Sequence, residues 1–215
     1  MNQSKSNKLW KNKDLSESRL LKGKALLSRD NRKSFILHLF SWVFLIIVVV
    51  LIAVVITYFM GQVRINVGSS MEVTMKDQDK VLINTLKYKI GAPKRGEVIA
   101  FKPNGNKNSY SYIRRVIGLP GETIQIKEGI IYINGKVLLE QWDLPPMNFS
   151  GIAEEEITLD KDEVFVLGDN RNNSEDSRYA YIDNIKLDDI EGKVWYVISP
   201  KERFGFVKTI SSTWK

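Results

Sequence analysis

The sequence predicts a mainly β protein: one antiparallel, β-rich domain behind a single N-terminal transmembrane helix. Three observations carry that prediction. Leu39 to Met60 is almost wholly apolar, broken only by Ser41, Trp42, Thr57 and Tyr58. Beyond residue 61, short apolar or alternating runs recur between turn signals, with no convincing long helical period. Asn134-Gly135 divides two such runs and marks a hairpin, because both residues tolerate the positive φ of a type I′ turn.

The first element is the anchor. Its 22 residues, Leu39 to Met60, span roughly 33 Å as a helix, enough for a hydrocarbon core of about 30 Å. Trp42 at one end and Tyr58 with Phe59 at the other suit the two interfaces. A cleaved secretory signal would have a shorter apolar core, a shorter basic leader and a small-x-small cleavage site. The order expected is a basic cytoplasmic tail (1–34), a transmembrane helix (35–60) and an extracytoplasmic β-rich domain (61–215).

Charge supports that orientation. The net charge is +7, yet residues 1–34 carry ten Lys or Arg against three Asp or Glu, and the remainder holds 22 of each sign. A tail of this kind stays on the cytoplasmic side, so the domain after it faces outward. A nucleic-acid groove is poorly supported, because the basic excess is confined to one end. The lipid bilayer is the partner this pattern implies.

In the outward domain, strand character falls on 64–67, 80–86, 97–101, 110–117, 122–126, 130–133, 163–167 and 193–198. Gly91-Ala92-Pro93, Pro103-Asn104-Gly105, Leu119-Pro120-Gly121 and Gly168-Asp169-Asn170 punctuate them. Residues 140–158, with Pro145-Pro146 and Glu154 to Glu156, read as an exposed loop. Within Tyr112 to Ile117, alternation sets Tyr112, Arg114 and Val116 on one face and Ile113, Arg115 and Ile117 on the other. The chain has no cysteine and one histidine, His38 at the start of the apolar segment. A thiolate nucleophile and a Ser-His-Asp triad in the outward domain are thereby excluded, and neither a metal nor an organic cofactor is suggested.

Four blocks give the domain its chemistry. They are Ser70-Met71-Glu72-Val73-Thr74-Met75, Asp77-Gln78-Asp79-Lys80-Val81-Leu82, Tyr112-Ile113-Arg114-Arg115-Val116-Ile117-Gly118-Leu119-Pro120-Gly121, and Gly168-Asp169-Asn170-Arg171 continuing through Ser174, Asp176 and Arg178. In order and spacing they resemble the bacterial type I signal peptidases, in their single-span Gram-positive-like form, over roughly residues 40–207. The resemblance implies a membrane-bound serine endopeptidase that removes signal peptides from translocated preproteins after small residues, by a serine–lysine dyad. It assigns Ser70 as nucleophile, its N–H to the oxyanion, Asp169, Ser174, Asp176 and Arg178 to active-site support, and Met71, Tyr112 and Ile113 to substrate contact. Ile65, Val67 and Val81 join these as apolar residues suited to lining the substrate pockets.

One position departs from the pattern. Arg114 stands where the family carries its catalytic lysine. A buried lysine sheds its proton and serves as base, whereas a guanidinium stays protonated above pH 12. Val73 and Met75 replace the family's proline and leucine, Gly68 replaces a hydroxyl residue that some relatives use as a second oxyanion donor, and Tyr181 falls where a glycine is common. Three readings follow: a peptidase whose base is another lysine, such as Lys76 or Lys80; a non-catalytic relative binding secreted or pilin-like segments as an assembly factor; or a lysine replaced so as to trap substrate.

Overall fold

The computed structural model describes residues 34–106, 108–140 and 144–214. The basic tail, Ser34 apart, lies outside them. Among the described residues a single helix, α1 (Ser34–Met60), is long and apolar enough to cross a membrane. Phe35, Leu39, Phe44, Leu51 and Ile56 along it are all more than half exposed.

The rest is antiparallel β structure. Its strands are β1 (Gln62–Ile65), β2 (Lys80–Asn84), β3 (Val98–Phe101), β4 (Tyr112–Gly118), β5 (Thr123–Lys127), β6 (Ile130–Ile133), β7 (Lys136–Glu140), β8 (Ile157–Thr158), β9 (Glu163–Leu167), β10 (Ile185–Lys186), β11 (Ile190–Ser199), β12 (Gly205–Phe206) and β13 (Ser212–Trp214). One sheet runs β1-β2-β11-β3-β4-β9-β10, with β12 beside β11; the other runs β13-β7-β6-β5-β8. The predicted fold class therefore holds.

Several boundaries differ from the sequence reading, each for a local reason. β2 stops at Asn84 because the Asn84 carboxamide oxygen accepts the N–H groups of Leu86 and Lys87, turning the chain into the short helix α2 (Lys87–Ile90). β1 ends before Asn66, whose side chain is buried and donates to the Lys76 carbonyl at 2.8 Å. Asn134 and Gly135 do take positive φ values, 51° and 75°, between β6 and β7. Glu128 and Gly129 do the same between β5 and β6, at 50° and 76°. The loop read as exposed in 140–158 also contributes to the core, since Met147 is 7% and Ala153 0% exposed.

β3 and β4 are central strands covered on both faces, which is why β3 is buried at every position. On one side Met71, Met75, Val81, Ile83, Ala100, Ile113 and Val194 cluster; on the other lie Ile99, Phe101, Val116, Val164 and Val166. A third cluster, with Ile124, Ile126, Ile133, Phe165 and Leu167, holds the second sheet.

Glu97, just before β3, ties α2 to β11. Its buried carboxylate accepts Lys193 Nζ at 3.0 Å, the Tyr88 hydroxyl at 2.9 Å, the Lys94 N–H at 3.1 Å, and Lys87 Nζ. Burial alone would raise its pKa; these donors outweigh that and hold it at about 2. An unfolded glutamate titrates near about 4.3. The folded value is the lower one, so the contribution is complete above about pH 4.3 and is lost as pH falls towards 2. Glu97→Gln is expected to cost about 1–3 kcal/mol at pH 7. In urea unfolding, the gap to the native chain should close as pH drops from 5 to 2; a gap independent of pH would refute the ion-pair account.

Candidate active site

Ser70 belongs to the turn that follows β1. The Met71 carbonyl accepts the N–H groups of Thr74 and Met75, both at 2.8 Å, and the Ser69 carbonyl accepts that of Glu72 at 3.0 Å. The turn is clipped to the loop after β9. Asn170 donates its N–H to the Ser70 carbonyl at 2.9 Å and its Nδ2 to the Ser69 carbonyl at 3.2 Å, while Asn173 Nδ2 donates to Ser69 Oγ at 2.8 Å. The Ser70 N–H has no partner among the described residues, so it remains a donor for a ligand oxygen.

Gly168 allows this approach. A Cβ there would stand 2.1 Å from Ser174 Oγ and 2.6 Å from the Ser70 carbonyl oxygen, so no side chain fits. The same contacts bring Ser174 and the Ser70 backbone together.

Two buried ion pairs brace the wall. Arg115 donates Nε to Asp169 Oδ1 and Nη2 to Asp169 Oδ2, each at 2.7 Å, and Nη2 also donates to Thr74 Oγ1 at 3.0 Å. This links β4, the loop after β9 and the turn bearing Ser70. Arg178 donates Nε and Nη2 to Asp176 at 2.8 and 2.9 Å, and Asp176 accepts the Gly168 N–H at 3.0 Å. All four residues are almost fully buried, so this is an internal frame rather than a solvated surface network.

Ser70, Tyr112, Arg114, Asn173, Ser174 and Glu175 line one cleft of about 510 Å³. Arg114 is 5% exposed. Its Nε donates to the Glu175 carbonyl and its Nη1 to the Ile113 carbonyl, both at 2.7 Å, and the guanidinium lies 5.1 Å from the Tyr112 ring centre. Nη2 has no partner among the described residues. Burial pushes the group below its ordinary pKa, against the opposing pull of Asp176, Tyr112 and Glu175. Ser174 Oγ is buried and likewise unpartnered.

A second groove of about 760 Å³ adjoins the cleft; Val67, Tyr110 and Ser111 line both. Val63 and Ile65 of β1 line the groove, and β1 is an edge strand of its sheet. An edge strand offers unpaired backbone groups for an added strand.

Of the residues singled out by sequence, Ser70, Tyr112, Arg114 and Ser174 line the cleft, whereas Asp169, Asp176 and Arg178 belong to the buried ion pairs. Met71 and Ile113, read as substrate contacts, sit instead in the core at 0% and 1% exposure, as does Val81 at 0%. Met71 is drawn in by its turn, and Ile113 by alternation on β4 opposite to Arg114. Neither Lys76 nor Lys80 lines the cleft; Lys80 lines the neighbouring groove. No lysine or histidine does so among the described residues. The sequence reading missed Thr74 and Arg115 as bracing groups, and Asn173 and Glu175 as cleft residues. The signal available was their position inside the blocks already singled out.

Comparison with known proteins adds the family. Residues 39–198 match the model described as signal peptidase, peptidase S26. The chain is 37% identical over 134 residues to the probable signal peptidase I-2 of Synechocystis sp., covering 60% of each chain. With signal peptidase I T of Bacillus subtilis it shares 34% identity over 167 residues, 74% of this chain and 85% of that one. A crystal structure of a signal peptidase I from Enterococcus faecalis is 30% identical, with a TM-score of 0.38, covering 48% of this chain and 97% of that one.

Proposed function

We propose a function from one premise: the chain belongs to the signal peptidase family, peptidase S26. It is a membrane-anchored serine endopeptidase that removes N-terminal signal peptides from translocated preproteins, cutting after small residues. α1 anchors it with the basic tail in the cytoplasm and residues 61–215 outside, as positively charged flanks favour. The observation that carries the reading is Ser70: it lines a cleft and its own N–H is unengaged among the described residues, beside a groove edged by β1.

In this mechanism the segment before the cleavage point lies extended along the β1 edge. Ser70 Oγ attacks the scissile carbonyl, and the Ser70 N–H stabilises the oxyanion as it forms. The mature chain leaves as the free amine, and water releases the signal peptide from the acyl-serine. The proton of Ser70 needs an acceptor, and the basic side chain on the cleft wall is Arg114. Burial moves its guanidinium in the direction of a base without making it one, so turnover is slow.

A second reading is favoured by that same residue: the cleft holds signal-peptide-like segments without cutting them. The test is cleavage of a preprotein with an Ala-x-Ala site by detergent-solubilised full chain beside Ser70→Ala. Slow cleavage at that site, absent in Ser70→Ala, is expected. No cleavage while the preprotein still binds would transfer the function to the second reading.

A further inference from the structure

We infer that the cleft is a carboxylate-binding site, which holds the free C-terminal carboxylate of a peptide between Arg114 Nη2, the Ser174 hydroxyl and the Ser70 N–H. This rests on reading the cleft as a peptide site. It names the chemical end of the peptide bound there.

Three donors lack acceptors on the same wall. Nε and Nη1 of Arg114 are spent on the carbonyls of Glu175 and Ile113, which fixes the guanidinium plane and leaves Nη2 open. Ser174 is 8% exposed and its Oγ has no partner. A buried hydroxyl with no partner is costly, and it can rotate its hydrogen towards an acceptor. The Ser70 carbonyl oxygen and Ser174 Oγ both crowd the same side of Gly168, and the Ser70 N–H is unengaged among the described residues. Two neutral donors and one permanent cation suit an anion with two oxygens better than a neutral carbonyl.

The opposing charge is Glu175, the one carboxylate on the cleft wall among the described residues, where Tyr110, Tyr112 and Tyr179 are the other ionisable groups besides Arg114. Its side chain is exposed and takes the Tyr112 hydroxyl at 3.4 Å, so water screens it. Arg114 is buried and is screened far less. The nearby Asp176 is matched by Arg178. The balance at the cleft floor is therefore positive.

Cleavage after a small residue creates this ligand: the released signal peptide ends in a carboxylate at the position Ser70 attacked. Where an uncharged base would let it go, Arg114 retains it. The site is thus selective for the product end of its own reaction, and for any extended peptide acid with a small terminal residue.

The experiment measures fluorescence anisotropy of a labelled signal-peptide tail ending in Ala-Gln-Ala, as free acid and as C-terminal amide, on the detergent-solubilised full chain. The acid is expected to bind about 10- to 100-fold more tightly. In Arg114→Gln that preference should vanish, and Glu175→Gln should strengthen the acid alone. Equal affinity for acid and amide in the native chain overturns the inference while leaving the peptide site standing. An acid preference that persists in folded Arg114→Gln also overturns it. Binding of neither peptide removes the underlying reading of the cleft.

Discussion

Arg114→Lys is expected to raise the rate of preprotein cleavage by about 10²–10⁴-fold, the usual contribution of a positioned general base. Arginine at this place binds charge but does not accept the Ser70 proton. Lysine is shorter, and its single nitrogen replaces a fork whose Nε and Nη1 are tied to the carbonyls of Glu175 and Ile113. The burial that pushes the Arg114 guanidinium down would act on an ammonium in the same direction, from a far lower starting value of about 10.4. Ser174 Oγ, now without a partner, would gain one. The gain should appear in kcat, and kcat/KM should acquire an alkaline-rising limb below the ordinary lysine pKa. The double variant with Ser70→Ala should be inert. A rate for Arg114→Lys within twofold of the native chain, with the fold intact, would mean that Arg114 is not the element limiting turnover.

The neighbouring arginines show what the sequence could and could not disclose. Alternation along β4 puts Arg114 and Arg115 on opposite faces, and the structure keeps them there. Alternation does not say which face meets Asp169, because that partner lies 54 residues further along the chain. One arginine therefore ends in a buried ion pair and the other on a cleft wall, from almost identical local patterns. Met71 illustrates the same limit: beside Ser70 it looks like a substrate contact, but the turn carries its side chain into the cluster with Val81 and Ile113. Local signals fared better where the backbone itself is constrained, as at Asn134-Gly135. Glu128-Gly129 forms a turn of the same φ signs; the break between the runs 122–126 and 130–133 falls there, yet glutamate gives no signal of the turn type. The unpartnered Ser174 hydroxyl is visible only once Gly168 is in place against it.

Asp169→Ala is expected to cost about 3–5 kcal/mol, because it leaves the fully buried Arg115 guanidinium without its counter-charge. For a domain of this size that corresponds to roughly 6–20 °C in Tm. The loss should also reach the chemistry. Arg115 is one residue from Arg114, Asp169 lies between Gly168 and Asn170, and the Thr74 hydroxyl joins both ions from the turn that carries Ser70. Slackening this clip frees Asn170, whose N–H fixes the Ser70 carbonyl, so cleavage or peptide binding should fall further than the unfolded fraction explains. Much of the cost is the stranded cation rather than the worth of the pair. The double variant Arg115→Met/Asp169→Leu should therefore recover part of the lost stability without restoring the site. Thermal unfolding of the two variants, with peptide binding measured well below their midpoints, separates the effects. If Asp169→Ala melts within a degree of the native chain, the Arg115–Asp169 pair is not what holds the turn against β4.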